Sequence, residues 1–142
     1  MTNQLATFEL DGDLYGVDVQ LVQEALLCPG RTAVPLAPPA VAGLTNLRGQ
    51  VVLTVDLRVR LGLPSAAEQA DRADQMMVVV QVDDVPVGLL VDAVGDVIDV
   101  DDDLFESPPE TLDLELRSLI TGAYKLEGRL LLALDVARAT NF

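Results

Sequence analysis

Twenty-three carboxylates, nine basic side chains, one thiol and no imidazole make up the reactive side chains of this 142-residue sequence. The absence of histidine removes the usual general base at neutral pH and the commonest metal ligand. Any chemistry must therefore come from carboxylates, from Cys28 or from the few cations. The densest carboxylate group is Asp96, Asp99, Asp101, Asp102, Asp103 and Glu106, and a hard cation such as calcium needs several oxygen ligands close together. The spacing argues against it. Counted from Asp99, an EF-hand frame asks for glycine at its sixth place and a bidentate acid at its twelfth, and the sequence supplies Leu104 and Glu110. A solvated acidic loop without a metal is the expectation.

Asp56 closes the apolar run VVLTVD, where a phospho-accepting aspartate could sit, and Asp83-Asp84 follows MVVVQV. In a response-regulator receiver the acidic pair precedes the phospho-aspartate, and five strands alternate with full-length helices. This sequence offers neither, and Asp56 recurs as Asp135 in a second copy of its surroundings. Both are read as structural aspartates that bond the backbone where a strand ends. Cys28 has no histidine to activate it and follows Leu26 and Leu27, so a small buried or half-buried apolar residue is the expectation. The glycines stand singly at turns, without a phosphate-binding loop. No catalytic residue, cofactor or metal is expected, and the chain is read as a non-enzyme.

Arg48 is different. It is one of few cations in a chain of net charge −14, it follows Asn46 and Leu47, and its planar fork suits bidentate contacts to carboxylates, including those across an interface. A partner protein and a local pair with Glu24 are both open readings. Val22, Val94 and Val97 carry a similar choice between core and the lining of a groove.

These residues sit in a sequence that repeats itself. Gly43 to Leu57 (GLTNLRGQVVLTVDL) matches Gly122 to Val136 (GAYKLEGRLLLALDV) without a gap at an offset of 79 residues, and Phe8 to Leu26 lies over Val80 to Ile98 at an offset of 72. Two blocks in the same order in each half imply two similar units. Arg48 and Glu127 are counterparts of opposite charge. The sequence is 50% hydrophobic and 4% aromatic, which calls for an aliphatic core and, through its β-branched share, for strands.

Local spacing places a hairpin around Asp11-Gly12-Asp13, a short helical turn over Val22 to Leu26, and an extended edge or loop from Arg31 through the prolines to Pro39. A second hairpin turns at Arg48-Gly49 and its copy at Glu127-Gly128. Strands near Met76 to Val82 and Val85 to Val91 precede a turn segment over Val94 to Ile98 and the acidic loop. The first unit spans about 5–63, a polar linker about 64–74 with Ser65 and Glu68 at capping-box spacing, and the second unit about 75–137. No long C-terminal helix is expected. Neither a signal sequence nor a run of about 18 apolar residues is present, and the acidity disfavours nucleic acid and anionic lipid. The expected location is cytoplasmic.

The runs VAGLTNLRGQVVLTVDLRVRLGL, FELDGDLYGVDVQLVQEAL and VGLLVDAVGDVIDV resemble the CheW-like domain of bacterial chemotaxis, in the family's order and over almost the whole chain. The resemblance implies an all-β fold of two intertwined five-stranded SH3-like barrels around a common aliphatic core. It also implies a non-catalytic adaptor between the cytoplasmic tips of chemoreceptors (methyl-accepting chemotaxis proteins) and the regulatory domain of a CheA-type histidine kinase, recruited to receptor arrays. The alternative within the same resemblance is an adaptor of a non-flagellar chemosensory system, serving type IV pili, gliding or gene regulation, or a paralogue that binds one partner. Carried over by position, the protein-binding residues are Val22, Glu24, Gly43, Asn46, Arg48, Val94 and Val97.

Overall fold

The computed structural model describes residues 2–63 and 75–141, so the linker expected at 64–74 lies outside the described residues. Strands β1 (Thr2–Leu10) and β2 (Asp13–Asp18) form the first hairpin. Its turn residues Asp11 and Gly12 both have positive φ, the backbone hand that matches the twist of a two-residue hairpin. β5 (Val41–Leu47) and β6 (Gln50–Asp56) turn at Arg48-Gly49, and β7 (Met76–Val82) and β8 (Val85–Val91) turn at Asp83-Asp84. β11 (Ile120–Leu126) and β12 (Arg129–Leu134) turn at Glu127-Gly128. The three hairpins that the sequence predicts stand where it places them, and the two strands expected at Met76 to Val82 and Val85 to Val91 form a fourth.

Two segments read as turns are strands. The segment expected as a helical turn is β3 (Val22–Leu27), which pairs antiparallel with β7, and the turn segment at Val94 to Ile98 lies within β9 (Ala93–Asp101), which pairs antiparallel with β1. The helical element of the first half is the shorter 3-10 turn Val19–Leu21 just before β3. The physical reason is the same in both halves. Each strand takes its ladder from a partner distant in sequence, and a few apolar residues at mixed spacing do not record that pairing.

With the two-residue strands β4 (Arg31–Thr32) and β10 (Phe105–Glu106) the elements form two six-stranded sheets. The first sheet runs β10-β11-β12-β2-β1-β9 and the second β3-β7-β8-β6-β5-β4, so each has five longer strands and one short edge piece. The opening hairpin β1–β2 sits in the sheet completed by β9 to β12, while β3 to β6 join β7 and β8. Each sheet therefore draws strands from both halves of the chain. The exchange is sealed by two equivalent parallel pairings, β12 with β2 and β6 with β8.

Gly43 and Gly122 explain how the short edge strands fit. A Cβ on Gly43 would lie 2.5 Å from the Thr32 carbonyl oxygen, and one on Gly122 would lie 2.6 Å from that of Glu106. Only a residue without a side chain lets β4 cross β5 and β10 cross β11 so closely. Asp56 and Asp135 do what the sequence predicts: they cap the short helices α1 (Leu57–Arg60) and α3 (Val136–Ala139), Asp56 accepting from the N–H groups of Arg58 and Val59 and Asp135 from that of Arg138. A third helix, α2, spans Leu114–Ser118.

The apolar side chains separate into three packed groups. Leu5, Leu14, Val100, Tyr124, Leu131 and Ala133 fill the first sheet's own interior. Leu47, Val52, Met77, Val79 and Leu90 fill the second, with the half-buried Cys28 against them. The largest group lies between the sheets and includes Phe8, Tyr15, Val55, Leu57, Leu89 and Leu132. Each such side chain contributes about 1.5–3 kcal/mol on full burial, against about 0–1 kcal/mol for a surface ion pair. The packing of the sheets on one another therefore dominates stability.

Candidate functional site

Arg48 occupies a left-handed backbone position, φ 52°, at the β5–β6 tip. The side-chain oxygen of Asn46 accepts the Gly49 N–H at 2.8 Å and holds the turn. From this tip the Nη1 and Nη2 groups of Arg48 donate to the two carboxylate oxygens of Glu24 on β3. Of the two readings left open by the sequence, the local pair is therefore formed. It leaves the Arg48 side chain 66% exposed and that of Glu24 22% exposed. The hydrogen bonds from Arg48 hold the Glu24 carboxyl below its ordinary range, and the same contact raises the guanidinium.

The pair also reports the shape of its sheet. β3 and β6 are separated by β7 and β8, so three strand spacings would put them about 14 Å apart in a flat sheet. Leu26 of β3 and Cys28 just after it pack into one buried group with Leu47 and Val52 of the hairpin, so the sheet curls about these side chains as the β3 carboxylate meets the β5–β6 tip.

The other predicted residues divide into supports and exposed apolar groups. Gly43 is buried and meets a packing demand. Val22, first residue of β3, is half-buried and packs against the core between the sheets. Val94 and Val97, 39% and 54% exposed, lie on β9 at the edge of the first sheet. The structure thus joins Glu24, Arg48 and Asn46 around one tip and places Val94 and Val97 on the edge strand of the other sheet. β9 approaches β7, the strand on which β3 is paired.

The acidic run is not a loop. Asp96, Asp99 and Asp101 belong to β9, Asp102 and Asp103 to a 3-10 turn capped by Asp101, and Glu106 to β10, where it pairs with Lys125 at 3.2 Å. Ladder pairing with β1 and β11 orders these residues. Among the described residues, no group of three or more acidic or cysteine side chains is arranged to hold a metal.

Sequence reasoning passed over two arginines of α1. Arg58, its side chain 13% exposed, donates through Nε to Asp92 Oδ1 at 2.8 Å and through Nη2 to Asp92 Oδ2 at 2.5 Å. Burial raises the affinity of Asp92 for a proton, but the bonds from Arg58 and from the Asp11 N–H outweigh it and the carboxyl titrates below its ordinary value. Arg60 donates to the carbonyl oxygens of Ala139, Arg138 and Asn141 at 2.9–3.1 Å, binding the first repeat's helix to the second's. The available signal was that both cations replace alanines of the other copy, Ala137 and Ala139, in a chain poor in cations.

Two curled sheets that exchange strands and present a charged tip and an exposed apolar edge define a duplicated β-sheet interaction module. The family described as CheW-like domain matches residues 4–141. The chain is 37% identical to the chemotaxis protein CheW of Rhizobium meliloti (strain 1021) over 134 residues, covering 94% of this chain and 84% of that protein. It is 31% identical to that of Treponema pallidum (strain Nichols), covering 94% and 79%. The crystal structure of the scaffolding protein TtCheW from Thermoanaerobacter tengcongensis superposes with a TM-score of 0.86 at 27% identity, covering 100% of this chain and 94% of that one. This chain belongs to the CheW-like domain family.

Proposed function

We propose that this protein is a non-catalytic adaptor of chemotaxis signal transduction that couples chemoreceptors to a CheA-type histidine kinase. The observation that carries the reading is the CheW-like match over residues 4–141, in a chain whose strand exchange leaves edges and tips of both sheets open to partners. Glu24, Asn46 and Arg48 form the polar part of a receptor-facing surface, Val22, Val94 and Val97 its apolar part, and Gly43 supports the hairpin that carries Arg48. The kinase regulatory domain is met through other exposed strand ends and turns.

The protein works in the cytoplasm and joins receptor arrays through proteins rather than lipid, because a net charge of −14 repels anionic head groups. No helix among the described residues is long and apolar enough to cross a membrane. Co-sedimentation with membranes carrying a receptor, with and without the kinase, tests the reading. The expected result is a ternary complex whose kinase activity responds to the receptor. A folded protein that enters neither pairwise complex overturns it.

A further inference from the structure

The chain passes between the sheets at two places that correspond in the repeat. After β2 it crosses through Val19–Leu21 into β3; after β8 it crosses at Asp92 alone into β9. At the 72-residue offset Gln20 stands where Asp92 does, and at the 79-residue offset Ala137 stands where Arg58 does. The first crossing has only a glutamine and an alanine at these places. The second is held by a guanidinium fork on a carboxylate, a geometry that fixes direction as well as distance.

Asp92 collects contacts from three segments. Its oxygens accept from Arg58 on α1 and from the Asp11 N–H, the latter at 2.9 Å in the β1–β2 turn, and its own N–H donates to the Glu9 carbonyl at 3.1 Å. Arg58 Nη1 lies 3.7 Å from Asp11 Oδ1. The β1–β9 ladder is interrupted just beyond this point. Val97 pairs with Ala6 and Val94 with Phe8, so the register shifts between the two valines, and only Ala93 and Val94 pair with β1 on the Asp92 side of the shift.

We propose that Arg58 is a positioning residue for the apolar part of the receptor-facing surface: by holding Asp92 against α1 it fixes where β9 begins, and with it the placement of Val94 and Val97 relative to Val22 and Glu24. The inference rests on the receptor-facing reading given above. Arg58 acts on that surface through Asp92.

Two variants test this in the full-length protein. Arg58→Lys keeps the charge and loses the fork, and Asp92→Asn keeps an acceptor for the Asp11 N–H and loses the charge; Gln20→Ala, at the matching crossing, is the control. In both test variants amide exchange from Ala93 to Val97 is expected to speed up by about tenfold while exchange in β5 to β8 stays unchanged. Receptor binding is expected to weaken about five- to tenfold with kinase binding retained, and Gln20→Ala changes neither. Wild-type exchange in β9 with wild-type receptor affinity in Arg58→Lys overturns the proposal. So does faster exchange spread evenly over both sheets, which marks a merely structural ion pair. If the unaltered protein does not bind receptor, the functional reading fails, and the exchange pattern alone still decides whether Arg58 positions β9.

Discussion

The hairpins β5–β6 and β11–β12 are built to one plan and end in different tips. Both begin with a register shift beside a glycine that admits a crossing edge strand, and both end in an aspartate that caps a short helix. A backbone bond closes each in the same place, from the Asp56 N–H to Ala40 O at 2.7 Å and from the Asp135 N–H to Leu119 O at 2.8 Å. At the first tip two successive residues, Arg48 and Gly49, have positive φ, Asn46 braces the turn and Arg48 is tied to Glu24. At the second, positive φ is confined to Gly128, Lys125 stands at the place of Asn46, and the counterparts of Arg48 and Glu24 are Glu127 and Asp96, two acids that cannot form such a pair. Duplication kept what the fold needs and released what faces solvent.

That contrast can be attacked where the copies agree. Gly43→Ala and Gly122→Ala should each destabilise by about 3 kcal/mol, since the added methyl meets backbone that cannot withdraw. Denaturant titration measures both, and tolerance at either position would show that the two crossings are not equivalent. The caps should differ in degree. Asp56, buried and bonding two N–H groups, is expected to lose about 2 kcal/mol on change to alanine, and the more exposed Asp135, bonding one, about 1 kcal/mol.

A smaller effect at neutral pH separates Tyr15 from its counterpart Val87. The Tyr15 hydroxyl lies in the core between the sheets and finds no hydrogen-bond partner among the described residues. Burial, aided by Asp13 and Asp11, pushes its pKa up from 10.0 to about 12. The folded protein then holds the phenol proton more tightly than the unfolded chain. The contribution of this phenol to stability is full below pH 10 and is lost between pH 10 and about 12. Tyr15→Phe should leave the melting temperature at pH 7 almost unchanged and flatten this alkaline decline.

The least effect on stability belongs to the residue with the most to do in binding. Arg48→Glu replaces an exposed ion pair by a repulsion between Glu24 and the new acid, and melting should move little. Receptor coupling should fall sharply, and Glu127→Ala should leave it intact. A large drop in melting temperature in Arg48→Glu would instead make the first tip a stability element, and the two tips would then differ in structure rather than in purpose.

Most of the fold was legible because it is written locally. Turn pairs such as Asp11-Gly12 and Arg48-Gly49, alternation in the flanking runs and aspartates at strand ends each act within a few residues. β3 and β9 were misread for the opposite reason, as edge strands with one open side whose partners are distant in sequence. The Glu24–Arg48 contact was one of two open readings, and the Arg58–Asp92 contact was unseen. Ion pairs 24 and 34 residues apart leave no periodic trace.

By itself the sequence determined the duplication, the aliphatic core, the hairpins and the family, because repeated glycines, turn pairs and β-branched runs constrain backbone and burial directly. Only the tertiary structure decided that the opening hairpin pairs with the second repeat, that each sheet mixes strands of both units, and that α1 is bound to the β8–β9 crossing and to α3. Those choices rest on burying a common apolar face and on contacts between residues far apart along the chain. Their energy depends on where the sheets meet, and no local pattern encodes that.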